Sequence, residues 1–139
     1  EQFAILFRKY SNNGQSGRIT LPKNGAEFWA HHKYSVMARG YQYYKDIQGD
    51  LRNRHTYPIQ QEKDLIEKIL KFMKMEIPER ALENVILHLW GYFKNKVNQE
   101  EKKHFFNLFN PVIKMHTLFS MAKKYQQDYL LHSTIFTDY

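Results

Sequence analysis

Apolar residues recur along this chain at intervals of three and four, the period of helices with one buried face, and no stretch alternates at two. Phe3, Leu6, Phe7 and Tyr10 keep that spacing, and the turn formers of residues 11–17 close the segment. A short hairpin pairing residues 3–7 with 18–21 is the alternative there. After Pro22 a helix is predicted from about residue 24 to 39, with Gly40 as its stop. Tyr41, Tyr44, Ile47 and Leu51 give a helix that Gly49 keeps short. Thr56-Tyr57-Pro58 reads as a cap and a first-turn proline ahead of a stripe of Leu65, Ile66, Ile69, Phe72 and Met73. On its outer face Asp64 and Glu67 are placed to pair with Lys68 and Lys71 at i, i+4.

Pro78 opens the next helix, with Ala81, Leu82, Val85, Ile86, Leu89 and Phe93 inward. Asn98 and Glu101 form a capping box in front of Phe105, Leu108 and Phe109. Pro111 starts a helix that turns Val112, Met115, Phe119 and Ala122 to the core, and residues 128–136 form a last short helix. The pattern predicts an all-α fold, a compact single-domain bundle of about six to seven helices. Residues 1–22 supply a helix plus flexible loop leading into a core of residues 23–139. A length of 139 residues suits one such domain and allows an ample core.

Composition removes several function classes. There is no cysteine, which rules out a disulfide framework, a thiolate zinc site, a cysteine-held iron–sulfur cluster and a cysteine nucleophile within these residues. No run approaches the roughly 18 apolar residues of a membrane span, and the first residues lack the order of a signal peptide, so a cytoplasmic setting is expected. Glu101 and His104 have the Glu-x-x-His spacing of di-iron bundles without a second copy, and Glu27 with His31 lacks further ligands. No metal or other cofactor is expected. Ser11, Ser16, Ser35, Ser120 and Ser133 sit in no nucleophile-elbow motif, and no catalytic residue is assigned.

Several positions break the helical pattern. Ala26, Trp29, Ala30, Val36 and Met37 share one side of the second predicted helix, and Lys33 falls in the middle of it. An ammonium there either snorkels to solvent on its stem or lines a cleft facing a ligand, because a buried unpaired charge is costly. His32 and Arg39, a heptad apart and therefore about 20° from each other, form a pair able to hold a phosphate, or simply mark the edge of the core. Gly91 stands inside His88-Leu89-Trp90-Gly91-Tyr92-Phe93-Lys94, where glycine costs roughly 1 kcal/mol, so a close neighbouring helix or a ligand is expected beside it. His88 and Tyr92, one turn apart, are spaced as a hydrogen-bonding pair.

Charge then points to a partner. Lys and Arg number 21 against 14 Asp and Glu, giving +7. Between residues 33 and 57 stand Lys33, Arg39, Lys45, Arg52 and Arg54 against Asp46 and Asp50 alone, with Tyr34, Tyr41, Tyr43, Tyr44 and Tyr57 among them. A second basic cluster holds Lys94, Lys96, Lys102 and Lys103, opposed by Glu100 and Glu101. Cations attract phosphate backbones and tyrosine faces stack on unpaired bases.

The run Phe28-Trp29-Ala30-His31-His32-Lys33, with Tyr44 and Gly49 beyond it, resembles the Phe-x-x-x-His-Lys opening of the YbgA-like family of uncharacterised domains. Residues 88–94, followed by Glu101-Lys102, resemble its His-x-x-Gly-Tyr-Phe-Lys block, and Tyr129-Leu130-Leu131 its C-terminal segment. The chain departs from the motif at Arg39-Gly40, where the family has His-Ser. The resemblance singles out His32, Lys33, His88, Gly91, Tyr92 and Lys94. It also implies occurrence alone or fused to thiouracil or thiouridine desulfidase-like domains, with the helical module holding RNA.

The expectation is therefore a non-catalytic module for RNA, tRNA being the candidate, or for another polyanion, with a desulfidase-like protein as a possible partner. Lys33, Arg39, Lys45, Arg52, Arg54 and Lys94 would neutralise phosphates, and Tyr44 or Tyr92 would stack on a base. The alternatives are a small enzyme or anionic-ligand domain in which His32, Lys33, His88 and Gly91 form one pocket, or a protein-interaction module.

Overall fold

Short local signals end most of the helices. Gly40 separates the first two, Pro78 sits at an N-cap, the capping box of Asn98 and Glu101 forms, and the Asn110 side chain caps a helix that begins at Pro111. The computed structural model describes residues 25–53 and 59–137. Within them the chain runs α1 (Gly25–Arg39), α2 (Tyr41–Arg52), α3 (Ile59–Met73), α4 (Glu79–Trp90), α5 (Gln99–Phe106), α6 (Pro111–Lys124), α7 (Asp128–Leu131) and a 3₁₀ turn (Thr134–Thr137). The fold is all-α, with no strand among the described residues. The predicted helix over residues 3–10, its hairpin alternative, Arg54 and the cap at residues 56–58 lie outside them.

The centre of the fold is α1, which packs on α2, α3, α4 and the 3₁₀ turn. On one side Phe28, Trp29 and Val36 join Ile47 and the α3 stripe of Leu65, Ile66, Ile69, Phe72 and Met73. On the other, Tyr34, Met37 and Ala38 join Leu82, Val85, Leu89, Phe93, Phe105, Met115, Leu118 and Ile135. A helix with a core on both sides has no single apolar stripe. The expected face is corrected accordingly: Ala26 is exposed, while His32, Ser35 and Arg39 are buried. Gly25 lets α3 approach, since a Cβ there would strike the Glu62 carboxylate, which accepts the Gly25 N–H at the positive end of α1.

Three further expectations change. Lys68 reaches across to Asp46 and Asp50 of α2, at 2.7 and 2.8 Å, rather than along its own helix, where Lys63–Glu67 pairs loosely at 4.0 Å. Gly91 lies at the C-cap of α4 with φ −53, exposed, and a Cβ would meet only the His88 carbonyl, so no helix presses on it. Phe109 and Val112 face outward; α5 ends at Phe106, and the corner leaves Phe109 95% exposed beside Phe106 and Ile113.

Candidate functional site

Where α1, α2, α4 and α7 meet, one cation is surrounded by phenols. Lys33 is half-buried, its Nζ 5.1 Å from the ring centre of Tyr34 and 5.0 Å from that of Tyr129. Burial pulls its pKa down, but the hydrogen bond with Tyr129 and the nearby Tyr92 and Tyr44 oxygens outweigh this and hold it above its ordinary value. The ammonium is therefore charged at neutral pH. Tyr34 and Tyr92 join hydroxyls at 2.5 Å, and burial together with that bond pushes the Tyr34 phenol well up, so it stays protonated.

Beside this cluster runs a series of rings. Trp29 tilts against Tyr44 at 5.6 Å, Tyr44 stacks with Tyr41 at 5.5 Å, and Tyr41 stacks with His88 at 5.9 Å. Gln48 donates to the Tyr44 hydroxyl at 2.9 Å and Lys45 lies over Tyr41 at 5.8 Å. Tyr41 and Tyr129 are 43% and 44% exposed, so both rings present area to an incoming ligand.

The expected residues divide into two sets. Lys33, Tyr44, Tyr92, Lys45 and His88 come to this region; Arg52 is exposed at the end of α2, and Lys94 is exposed after α4. Among the described residues none of Lys33, Lys45, Arg52 and Lys94 is in an ion pair, and the α2 carboxylates Asp46 and Asp50 are turned to Lys68.

His32 and Arg39 go elsewhere. His32 is fully buried, with Nδ1 at 2.9 Å from the Thr134 hydroxyl. Arg39 is 5% exposed and donates to the carbonyls of Ser35, Met73 and Met75 at 2.9, 3.0 and 3.1 Å, closing the C-terminal end of α3. They do not form an anion-holding pair. Nor do His32, Lys33, His88 and Gly91 line one pocket: His32 seals against the 3₁₀ turn, His88 stacks on Tyr41, and Gly91 is a helix end. His88 and Tyr92 likewise take separate partners.

Sequence reasoning missed Tyr41 and Tyr129 as site residues. The signal for Tyr41 was its place among the basic residues of 33–57, next to Gly40; Tyr129 carried only the resemblance of its C-terminal segment, since its neighbour Lys33 is distant in the chain. Glu101 and His31, weighed as metal ligands, hold Asn98, Tyr125 and Lys124 in one case and the His132 carbonyl in the other. Among the described residues no three His, Asp or Glu side chains gather to hold a metal ion. No described helix is long and apolar enough to cross a membrane.

A family model described as "Protein of unknown function (DUF1722)" matches residues 33–139, a span that begins at Lys33 and takes in the phenol cluster and the Tyr41 stack. This is the YbgA-like family that the sequence resembles. No curated protein and no solved structure matches the chain.

Proposed function

We propose that this chain, which belongs to the DUF1722 family of uncharacterised domains, is an RNA-binding accessory module, with tRNA as the candidate ligand. The observation that carries the reading is the charged Lys33 set among Tyr34, Tyr92 and Tyr129 beside the partly exposed Tyr41 stack. Cations without carboxylate partners draw phosphates by counterion release, and an exposed ring offers a platform for an unpaired base. Lys45 adds a second charge beside Tyr41, Arg52 and Lys94 are further exposed cations, and Tyr44 and Tyr92 hold the platform together through stacking and the hydroxyl pair. Catalysis in this reading comes from a partner, desulfidase-like as the resemblance implies.

The test is tRNA affinity at two salt concentrations. Binding should weaken as salt rises, and Lys33→Met should lower the slope of log affinity against log salt by about one. Tyr41→Ala should weaken binding by about 1–3 kcal/mol per stacked base. Undetectable binding at low salt, or binding indifferent to salt, refutes the reading.

A further inference from the structure

Tyr41 belongs to a second feature. A cleft of about 440 Å³ opens between the α1–α2 junction and the first turns of α4, near the lower end of ligand-pocket sizes. Tyr41, Gln42, Arg80 and Asn84 line it, with Gly40 and Ala81 between them. Ala81, Asn84 and His88 recur at three and four residues, so the α4 face that floors the cleft continues to the histidine stacked on Tyr41. Tyr41 is thus the wall shared by the cleft and the ring stack.

Three of the polar groups in the cleft are unengaged, whereas Arg39, which also lines it, is held by backbone carbonyls. Among the described residues Gln42, Arg80 and Asn84 have no hydrogen-bond or ion-pair partner, although Asn84 is half-buried. A half-buried amide normally finds a partner, because burying one unmet costs free energy. Gly40 makes room for the other amide: a Cβ there would lie 2.7 Å from Gln42 Oε1 and 3.0 Å from Nε2. No carboxylate lines the cleft, which argues against a cation.

Two amides that each donate and accept, a guanidinium fork and an aromatic wall match the edge, the phosphate and the face of one nucleotide. We infer that this cleft takes a single unpaired nucleotide of the bound RNA. Gln42 and Asn84 read its base edge, the exposed rim of the Tyr41 ring packs edge-on against its face and Arg80 holds its phosphate. The inference rests on the RNA reading above and adds to it a source of base preference.

The experiment uses the full chain and single-stranded RNA octamers of A, C, G or U. Affinities are measured by fluorescence anisotropy at two salt concentrations, and the side-chain NH₂ signals of Gln42 and Asn84 are followed by NMR. The expected result is a preference of about tenfold or more between the best and worst octamers, the discrimination of one bidentate amide contact. Gln42→Ala, Asn84→Ala and Gly40→Ala should each flatten it without changing the salt slope, while Arg80→Ala lowers the slope by about one and keeps the preference. The NH₂ signals should move with the preferred octamer and stay in place with inorganic phosphate alone. Salt-dependent RNA binding with unmoved NH₂ signals and an unchanged preference in the amide variants overturns the cleft assignment and leaves the RNA reading standing. Absence of RNA binding at low salt overturns the RNA reading and the assignment built on it. The NMR arm uses the unaltered chain, so a variant that fails to fold does not blunt the test.

Discussion

Thr134→Val offers a direct measure of the seam that sets α1 against the C-terminal turn. Thr134 is 4% exposed, and His32 and Ser35 are fully buried. Its hydroxyl has one proton, which goes to the His31 carbonyl at 3.2 Å, and two lone pairs, which accept from His32 Nδ1–H at 2.9 Å and Ser35 O–H at 2.7 Å. With His32 protonated on Nδ1, all the capacity of the group is used.

Valine fills the same space with no acceptor. Ser35 can then turn its hydroxyl to the carbonyl four residues back, that of His31, which Thr134 has released. The His32 Nδ1–H loses this acceptor. An orphaned buried donor costs about 1–3 kcal/mol, and the net loss of one further hydrogen bond adds about 1 kcal/mol. The expected destabilisation is about 2–4 kcal/mol, nearer the low end if the ring changes tautomer, and amounts to a Tm drop of roughly 5–15 °C. Urea unfolding followed by the fluorescence of Trp29 and Trp90 measures it, with Thr134→Ser as the control that keeps the hydroxyl. A Thr134→Val midpoint within about 0.5 kcal/mol of the unaltered chain would refute the network as the element that seats the turn.

Arg39→Met should destabilise by about 3 kcal/mol, since it removes a donor from two buried carbonyls and one part-buried one, and Arg39→Lys should recover only part of this; equilibrium unfolding reads both. The Tyr125 hydroxyl foremost, then the Asn98 N–H and the Lys124 ammonium, hold the Glu101 carboxyl below its ordinary range. A folded pKa below the unfolded one gives stability that is present above the unfolded value of about 4.3 and lost as pH falls through the folded one, so the urea midpoint should drop below about pH 5, and drop less in Glu101→Gln. Phe109→Ser should stay within about 0.5 kcal/mol of the unaltered chain, because the ring is 95% exposed and contributes little to the core; a larger loss by thermal melting would contradict that placement.

The helices were legible because their causes are local. Gly40, Pro78, the Asn98–Glu101 box and Pro111 act within one or two turns, and apolar spacing carries the rest of α3 and α4. The candidate site was legible only in part. Lys33 stood out because a charge interrupted an apolar arc, and it does meet Tyr92 and Tyr44 near the expected surface. The role of Tyr129 was not visible, since its approach to Lys33 depends on how α7 folds back on α1.

By itself, then, the sequence determined the order of the helices and the starts of those with a proline or asparagine cap, the cores' apolar membership in α3 and α4, and an excess of positive charge. Only the tertiary structure decided what each polar group does. Lys33 and Arg39 lie on the same helix and carry the same sign, yet one keeps its ammonium among partly exposed phenols and the other turns its guanidinium to three backbone carbonyls of α1 and the end of α3. The physical reason is range. Helix spacing and capping act between residues three or four apart, whereas a buried donor is satisfied by whichever acceptor packing brings to it, and here those acceptors lie 34, 36 and, for His32, 102 residues along the chain.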